Sequence, residues 1–192
     1  MTPRLILAST SPRRRDLLGQ LGVTPHRVAA PDIDETPRPG ELPRAYAVRM
    51  ACEKAEAVTL DPGEVALSGD TVVAAGRRIL PRAADEAEVA ECLKLLSGRR
   101  HRVLTAVATR IQDGTIRHRL SESIVAFAPL SAHRIAAYAA AGEGVGKAGG
   151  YAIQGEAGAF VRWMSGSYSG IVGLPLHETR ALLVAAGVIT DG

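Results

Sequence analysis

Hydrophobic and polar positions along this chain change period several times, and each change marks a predicted element. Arg4-Leu5-Ile6-Leu7-Ala8 is a short β-type run, broken by Ser9-Thr10-Ser11. From Pro12 to Leu21 the spacing turns helical, with Leu17, Leu18 and Leu21 on one face and Gly22 as the stop. His26 to Ala29 reads as a second strand, and Pro31 to Pro43, rich in proline and acids, as loop. Ala45, Val48, Ala51, Cys52, Ala55 and Val58 predict a long helix from about Pro43 to Leu60. Asp61-Pro62-Gly63 turns the chain into the strand Val65 to Ser68; a strand resumes from Thr71 to Ala75, Gly76 turns, and Asp85 to Leu96 reads as helix. His101 to Gln112 and Thr115 to Ala128 read as a long hairpin around Asp113-Gly114, a dipeptide that tolerates the positive φ of a type I′ turn. Ser131 caps a helix to about Ala141, and a glycine-rich loop runs from Gly142 to Gly150. Phe160 to Met164 is strand-like, and Pro175 to about Ala186 is helical.

Strands and helices interleave without a composition break or an internal repeat, which predicts an α/β fold in one domain over residues 1–192. The hairpin requires an antiparallel pair, so the sheet should be mixed and flanked by the helices. Apolar residues make up 46% of the chain but aromatics only 4%, so Ala, Val, Leu and Ile must fill the core. Cys52 and Cys92 fall in predicted helices without ligand-like spacing, as expected of reduced thiols in a cytoplasmic protein. No apolar run reaches the ~18 residues of a membrane span, and the Met1-Thr2-Pro3-Arg4 start does not read as a secretory signal. The net charge of +3 suits an anionic small molecule or a nucleic acid without choosing between them.

Three constellations could carry chemistry. In Ser9-Thr10-Ser11-Pro12-Arg13-Arg14-Arg15, Ser11 is a good N-cap and Pro12 a good first helical residue. Unpaired amides at such a start form an anion site. Three arginines there oppose the helix dipole, which a phosphate held by bidentate guanidinium contacts would explain; a solvated basic face is the other reading. The second constellation pairs Asp32-Ile33-Asp34-Glu35 with Ser68-Gly69-Asp70-Thr71. Asp70 ends an apolar strand, where α/β sheets place ligands; with a carboxylate from the 31–39 loop it could hold Mg²⁺ or orient an attacking water. Read alone, Asp70 is equally a turn residue. Lys54, Arg82, Lys147 and Gln154 form the third set: cations within reach of a triphosphate and an amide able to read a base edge, each alternatively an ordinary exposed side chain.

Other signals fail. Gly142-Glu143-Gly144-Val145-Gly146-Lys147-Ala148 has Ala141 at the first glycine position of a P-loop and Ala148 where magnesium needs Ser or Thr. Lys147 stands where a Rossmann fingerprint needs glycine, and Gly166-Ser167-Tyr168-Ser169-Gly170 has tyrosine in place of a nucleophilic serine. The five histidines have no zinc spacing. No basic patch interleaves with aromatics, so stable nucleic-acid binding is not expected.

Taken together, the pieces resemble the Maf-like nucleotide pyrophosphatases, first associated with septum formation. The resemblance is carried by Leu5 through Arg14, Glu53-Lys54-Ala55, Gly69-Asp70-Thr71-Val72-Val73, Leu96-Ser97-Gly98, His101-Arg102-Val103, Lys147 through Gly155, and Gly173-Leu174-Pro175-Leu176. It implies a mixed α/β fold with a cleft, and often a homodimer. It also implies hydrolysis of a nucleoside triphosphate between its α and β phosphates with a divalent cation, Mg²⁺ or Mn²⁺. The family's catalytic carboxylate maps onto Asp70, its accessory acid onto Glu35 as a further metal ligand, and its phosphate contacts onto Arg13, Arg14, Lys54 and Lys147, with Ser9 and Ser11 beside them. Arg13, Thr71 and Gln154 resemble the branch acting on dTTP and UTP, with modified pyrimidine triphosphates as further candidates. The chain departs from the family at Pro81-Arg82-Ala83, where many members carry Gly-Lys-Pro; arginine keeps the charge as a planar fork. Two alternatives stay open: a pyrophosphatase acting on purine or modified guanine triphosphates, and a non-catalytic nucleotide- or DNA-binding regulator of cell division.

Overall fold

The computed structural model describes residues 2–190, so the two ends of the expected 1–192 domain lie outside the described residues. The strands are β1 (Arg4–Ala8), β2 (Arg27–Val28), β3 (Glu64–Ala75), β4 (Arg78–Leu80), β5 (Arg100–Arg110), β6 (Ile116–Phe127) and β7 (Val161–Ser165). The helices are α1 (Pro12–Gln20), α2 (Pro43–Glu56), α3 (Glu86–Leu96), α4 (Ala132–Ala140), α5 (Tyr168–Val172) and α6 (Leu176–Ala185). One seven-stranded sheet runs β2-β1-β3-β5-β6-β7, with β4 also paired to β3. The first three strands of that path are parallel and the hairpin strands antiparallel, so the sheet is mixed, as the sequence predicted. No helix among the described residues is long and apolar enough to cross a membrane.

Strand alternation divides the core. On β3, Val65 and Leu67 pack with β1, α1 and α6, and Val73 joins the cluster under α3 and α4. Val72 and Ala74 point the other way, onto Tyr46, Ala47, Met50, Ala51 and Ala55 of α2. That helical face recurs every three to four residues, which lets α2 lie flat on the sheet. Asp85 caps α3 by accepting from the Glu88 amide at 2.9 Å, and Ser131 caps α4 from the Arg134 amide at 3.2 Å.

Several boundaries differ from the sequence expectation. The two expected strand pieces around Gly69-Asp70 are one continuous β3, held by unbroken pairing with β5 from Ala66 to Ala74. Helix α2 stops at Glu56 rather than Leu60, because arginines take up the carbonyls beyond it: Arg110 bonds Val58 and Arg27 bonds Thr59. The hairpin has no type I′ turn. Five residues separate Arg110 from Ile116, and of the central pair only Gly114 has positive φ, +87°, while Asp113 accepts the Thr115 amide at 2.8 Å. Ser11 stands at the N-cap of α1 but makes no capping bond; its amide instead donates to Ser9 Oγ at 3.3 Å. Phe160 ends a 3₁₀ turn, Glu156–Phe160, in which it and Ala157 are buried, instead of opening β7. Strand β4 and helix α5 were not predicted, being too short to show a period.

The pairing on the free side of β3 shapes the site. Strand β1 pairs with β3 up to Ser68, and β4 pairs only from Val73. Between them, Gly69 to Val72 have no strand neighbour on that side, and the sheet forks there. The glycine-rich loop closes over the fork: Gly146 donates to the Ala83 carbonyl at 2.7 Å, Ala83 to Lys147 at 3.2 Å, and Gly149 to Pro81 at 2.9 Å. Gly149 has φ +67°, and a Cβ there would lie 2.7 Å from Val73 Cγ1. Gly149→Ala combines left-handed strain with overpacking, and is expected to lower stability by about 2–4 kcal/mol in urea unfolding.

Candidate active site

Asp70 sits in the fork, on the face of β3 that meets α2. Its carboxylate is 3% exposed, and Oδ1 takes two charged partners: Lys54 Nζ at 2.7 Å and an Arg82 terminal nitrogen at 3.2 Å. The same Lys54 ammonium lies 3.0 Å from Glu35 Oε2, and Arg82 lies 3.9 Å from that oxygen. Lys54 is 5% exposed, whereas Arg82 and Glu35 are nearly half exposed, so the quartet runs from the interior to the surface. Lys54 is thus a buried lysine of the last turn of α2, where as a lone residue it could equally have been exposed. Glu35 is steadied by Tyr46, whose hydroxyl donates to the Glu35 carbonyl at 2.7 Å. Arg49 ties the same loop down through Glu41 at 2.7 Å and the Thr36 carbonyl at 3.2 Å.

On the other side of the fork a cleft of about 350 Å³ opens. It gathers Ser9, Ser11, Arg13, Arg14, Glu35, Lys54, Thr71, Arg82, Lys147 and Gln154, and Asp70 faces an adjoining cavity that shares Glu35, Thr71 and Arg82. These residues therefore gather in the cleft, with Asp70 in the cavity next to it. Val73, Val103, Tyr151, Ile153 and Ile171 give the cleft an apolar floor. Asp32 and Arg15 lie outside its lining, and so does Asp34, which accepts the Thr36 amide at 2.9 Å.

The arginines of the first constellation separate in role. Arg13 is half-buried and makes no hydrogen bond or ion pair among the described residues; burial and the nearby Arg82 charge lower its pKa. Lys147, from the loop over the fork, is lowered by burial and by Arg13, with Glu143 opposing. These cations repel one another, so an anion between them would be held strongly. Arg14 is fully buried and braced instead: it donates to the Gly173 carbonyl at 2.9 Å, Ser9 Oγ at 3.0 Å and Thr71 Oγ1 at 3.4 Å. Burial pulls its pKa down to about 10, with the Asp70 carboxylate opposing. Gly69 lies beside it: a Cβ there would be 3.3 Å from the Ala106 carbonyl oxygen and 3.4 Å from Arg14 Nε.

Two supporting residues, Thr105 and Glu143, carried no signal at the sequence level, and a third, His101, was noted there only as part of a motif. Thr105 on β5 is the direct cross-strand partner of Thr71. Glu143 accepts from Tyr138 at 2.8 Å and from the Glu156 amide at 3.0 Å, locking the wall that carries Gln154. His101 Nε2 lies 2.8 Å from the Tyr151 hydroxyl, while its Nδ1 is buried without a partner. His101 belonged to a motif noted above, but only the register of β5 reveals that it supports the cleft floor.

A forked sheet that buries one ion-paired aspartate beside a ring of cations defines an α/β protein built to receive a polyanion. Comparison with known proteins specifies which: the model of the Maf-like protein family matches residues 4–186, and the chain belongs to that family. A relative from Novosphingobium aromaticivorans, named dTTP/UTP pyrophosphatase, is 61% identical over 97% of this chain and 93% of its own. Another of the same name, from Sphingopyxis alaskensis, is 61% identical over 97% of this chain and 98% of its own. A solved nucleoside-triphosphatase (dITP/XTP pyrophosphatase) from Mycobacterium abscessus is similar at 20% identity, with a TM-score of 0.44 over 66% of this chain and 74% of that one.

Burial holds the His101 pKa near 4, below the ordinary 6.5. The unfolded chain therefore takes up the proton first, so stability is complete above about pH 6.5 and falls as pH drops towards 4. The loss should approach ~3 kcal/mol at the acid end. Glu41 and Glu64, held near 2 by Arg49 and Arg27, lose their contribution only at lower pH. Urea midpoints measured between pH 7 and 4.5 should fall in the wild type and flatten in His101→Phe.

Proposed function

We propose that this protein hydrolyses dTTP and UTP between the α and β phosphates, releasing the monophosphate and pyrophosphate, with Asp70 as general base. The observation that carries the reading is the buried Asp70 carboxylate with both cationic partners on Oδ1. Oδ2 has no partner among the described residues, so it is the oxygen able to take a proton from an attacking water. Lys54 and Arg82 fix the direction of the carboxylate, and Arg13 and Lys147 draw the phosphate chain to the rim. Gln154, exposed at the cleft edge, supplies a donor and an acceptor for the base. The pyrimidine assignment is supported by the names of relatives 61% identical over almost the whole chain.

The acidic pair fits a divalent ion. Glu35 Oε2 and Asp70 Oδ1 converge on one ammonium, at 3.0 and 2.7 Å, and both are hard oxygen donors. No group of three or more His, Cys, Asp or Glu gathers among the described residues, so substrate phosphates and waters would have to complete the coordination of an ion held by this pair. Such an ion, Mg²⁺ or Mn²⁺ held by Glu35 and Asp70, would neutralise phosphate charge during attack.

Pyrophosphate release from a panel of nucleoside triphosphates tests the reading, with dTTP and UTP expected as the best substrates. Asp70→Asn should reduce release on the order of 10²–10⁴-fold while leaving the circular dichroism spectrum intact; undiminished turnover would remove Asp70 from the chemistry. Treatment with a chelator should stop turnover, and added Mg²⁺ or Mn²⁺ should restore it.

A further inference from the structure

Gln154 sits in a tight turn whose Ala152 carbonyl accepts the Gly155 amide at 3.0 Å. Its side chain is exposed and makes no hydrogen bond among the described residues, so its place depends on what holds the turn. Tyr138, a wholly buried residue of α4, accepts the Ala152 amide on its hydroxyl at 3.2 Å and donates its proton to Glu143 Oε1 at 2.8 Å. The same carboxylate accepts the Glu156 amide on Oε2 at 3.0 Å and the Ala157 amide on Oε1 at 3.5 Å. The turn is thus gripped at both ends. Outside the 152–160 stretch, every hydrogen bond of residues 152–157 ends on Tyr138 or Glu143 among the described residues. Gly155 is fitted to this grip, since a Cβ there would lie 2.2 Å from Glu143 Oε2. Lys147 is held differently. Backbone bonds to Pro81 and Ala83 fix its loop beside Arg82, and none of them uses the Glu143 side chain.

We infer that Glu143 is a positioning residue for the nucleoside half of the substrate: with Tyr138 it fixes the turn that presents Gln154, and it leaves the phosphate-facing cations to the Pro81–Ala83 segment. The inference rests on the proposed pyrophosphatase reading and adds to it a residue that touches no substrate atom. A carboxylate suits the task because it only accepts, and two amides and a hydroxyl each bring it a proton. The benefit is one of ordering, because a turn already fixed in the free protein loses little freedom when a base docks against it. The base lies away from the phosphorus under attack, so contacts to it count equally before and during the reaction. Their loss raises KM while kcat stands. Gly155 gives access to the same carboxylate from the other side. Its φ of −106° is open to alanine, and the added methyl would meet only the far end of a flexible side chain. Gly155→Ala therefore expels the Glu143 carboxylate rather than moving the backbone.

The test measures kcat and KM for dTTP, and the Kd of dTMP and of pyrophosphate by calorimetry. It compares the wild type with Glu143→Ala, Gly155→Ala and the double variant, with urea unfolding to check each fold. dTMP carries the base, the sugar and one phosphate, whereas pyrophosphate carries nothing of the nucleoside. Each single variant should raise KM for dTTP and Kd for dTMP about fivefold or more, with kcat and the Kd of pyrophosphate within about twofold of the wild type. Because both changes act on one carboxylate, the double variant should be no worse than Glu143→Ala alone. If Glu143→Ala does not fold, Gly155→Ala decides the outcome by itself. Equal loss of dTMP and pyrophosphate affinity, a fall in kcat at unchanged KM, or wild-type behaviour of folded Gly155→Ala overturns the inference and leaves the pyrophosphatase reading standing. Absence of pyrophosphate release from every triphosphate overturns both.

Discussion

The interruption of pairing along one side of β3 is the constraint on which the rest depends. Because β1 leaves at Ser68 and β4 arrives at Val73, a short stretch of central strand is exposed along its edge. That opening lets a side chain from deep in the sheet reach a cleft. It also explains how a carboxylate can be 3% exposed and still line a cavity: the strand holds it rigidly through β5, and access comes from the side. A buried ion pair seldom adds stability over an apolar equivalent, since desolvating both charges offsets most of their attraction. The Lys54–Asp70 pair is therefore better explained by what it positions than by what it stabilises. Lys54 also bonds Glu35, which brings the acidic loop to the same point.

Charge is distributed around that point with a gradient. Among the residues lining the two cavities, the cations Arg13, Arg14, Lys54, Arg82 and Lys147 outnumber the carboxylates Glu35 and Asp70. The two carboxylates are engaged at the inner end, so the surplus of positive charge lies towards the rim, where Arg13 is unpaired and Lys147 bonds only the Val145 carbonyl at 3.3 Å. Such a field favours anions at the rim. Arg82 belongs to both ends. A lysine at this position would present a point charge, whereas the guanidinium touches Asp70 and approaches Glu35 through one nitrogen.

Much of this was legible in the residues. The long helical and strand periods, the hairpin and the mixed sheet followed from spacing, and Asp70, Lys54 and Arg82 could be picked out as chemistry-bearing side chains. What spacing could not show was depth. Three consecutive arginines look alike in sequence, yet Arg13 faces the cleft, Arg14 is a buried brace and Arg15 is exposed, because a helix turns about 100° per residue. Asp70 read equally well as a turn residue, because glycine before a polar residue commonly ends a strand; here the pairing with β5 runs on through Gly69 and Asp70. Thr105 was silent, since its role exists only through a register between strands more than thirty residues apart. The missed elements β4 and α5 are similarly short, and both are held by the site they border.

The alternation of β3 gives the site its division of labour. Asp70 and Thr71 are adjacent in sequence, so a strand must send them to opposite faces. One face meets α2, which supplies Lys54 to the carboxylate; the other meets α1, which supplies Arg14 to the hydroxyl, and α5, whose Gly170 carbonyl accepts from Thr105. The two side chains thus share one strand without sharing hydrogen-bond partners. A slip of one residue between β3 and β5 would exchange the two faces, sending the carboxylate among apolar side chains and the hydroxyl towards Lys54. Unbroken pairing from Ala66 to Ala74 prevents that slip. The glycine before Asp70 leaves that pairing intact, which places the strand's weakest former beside its buried carboxylate.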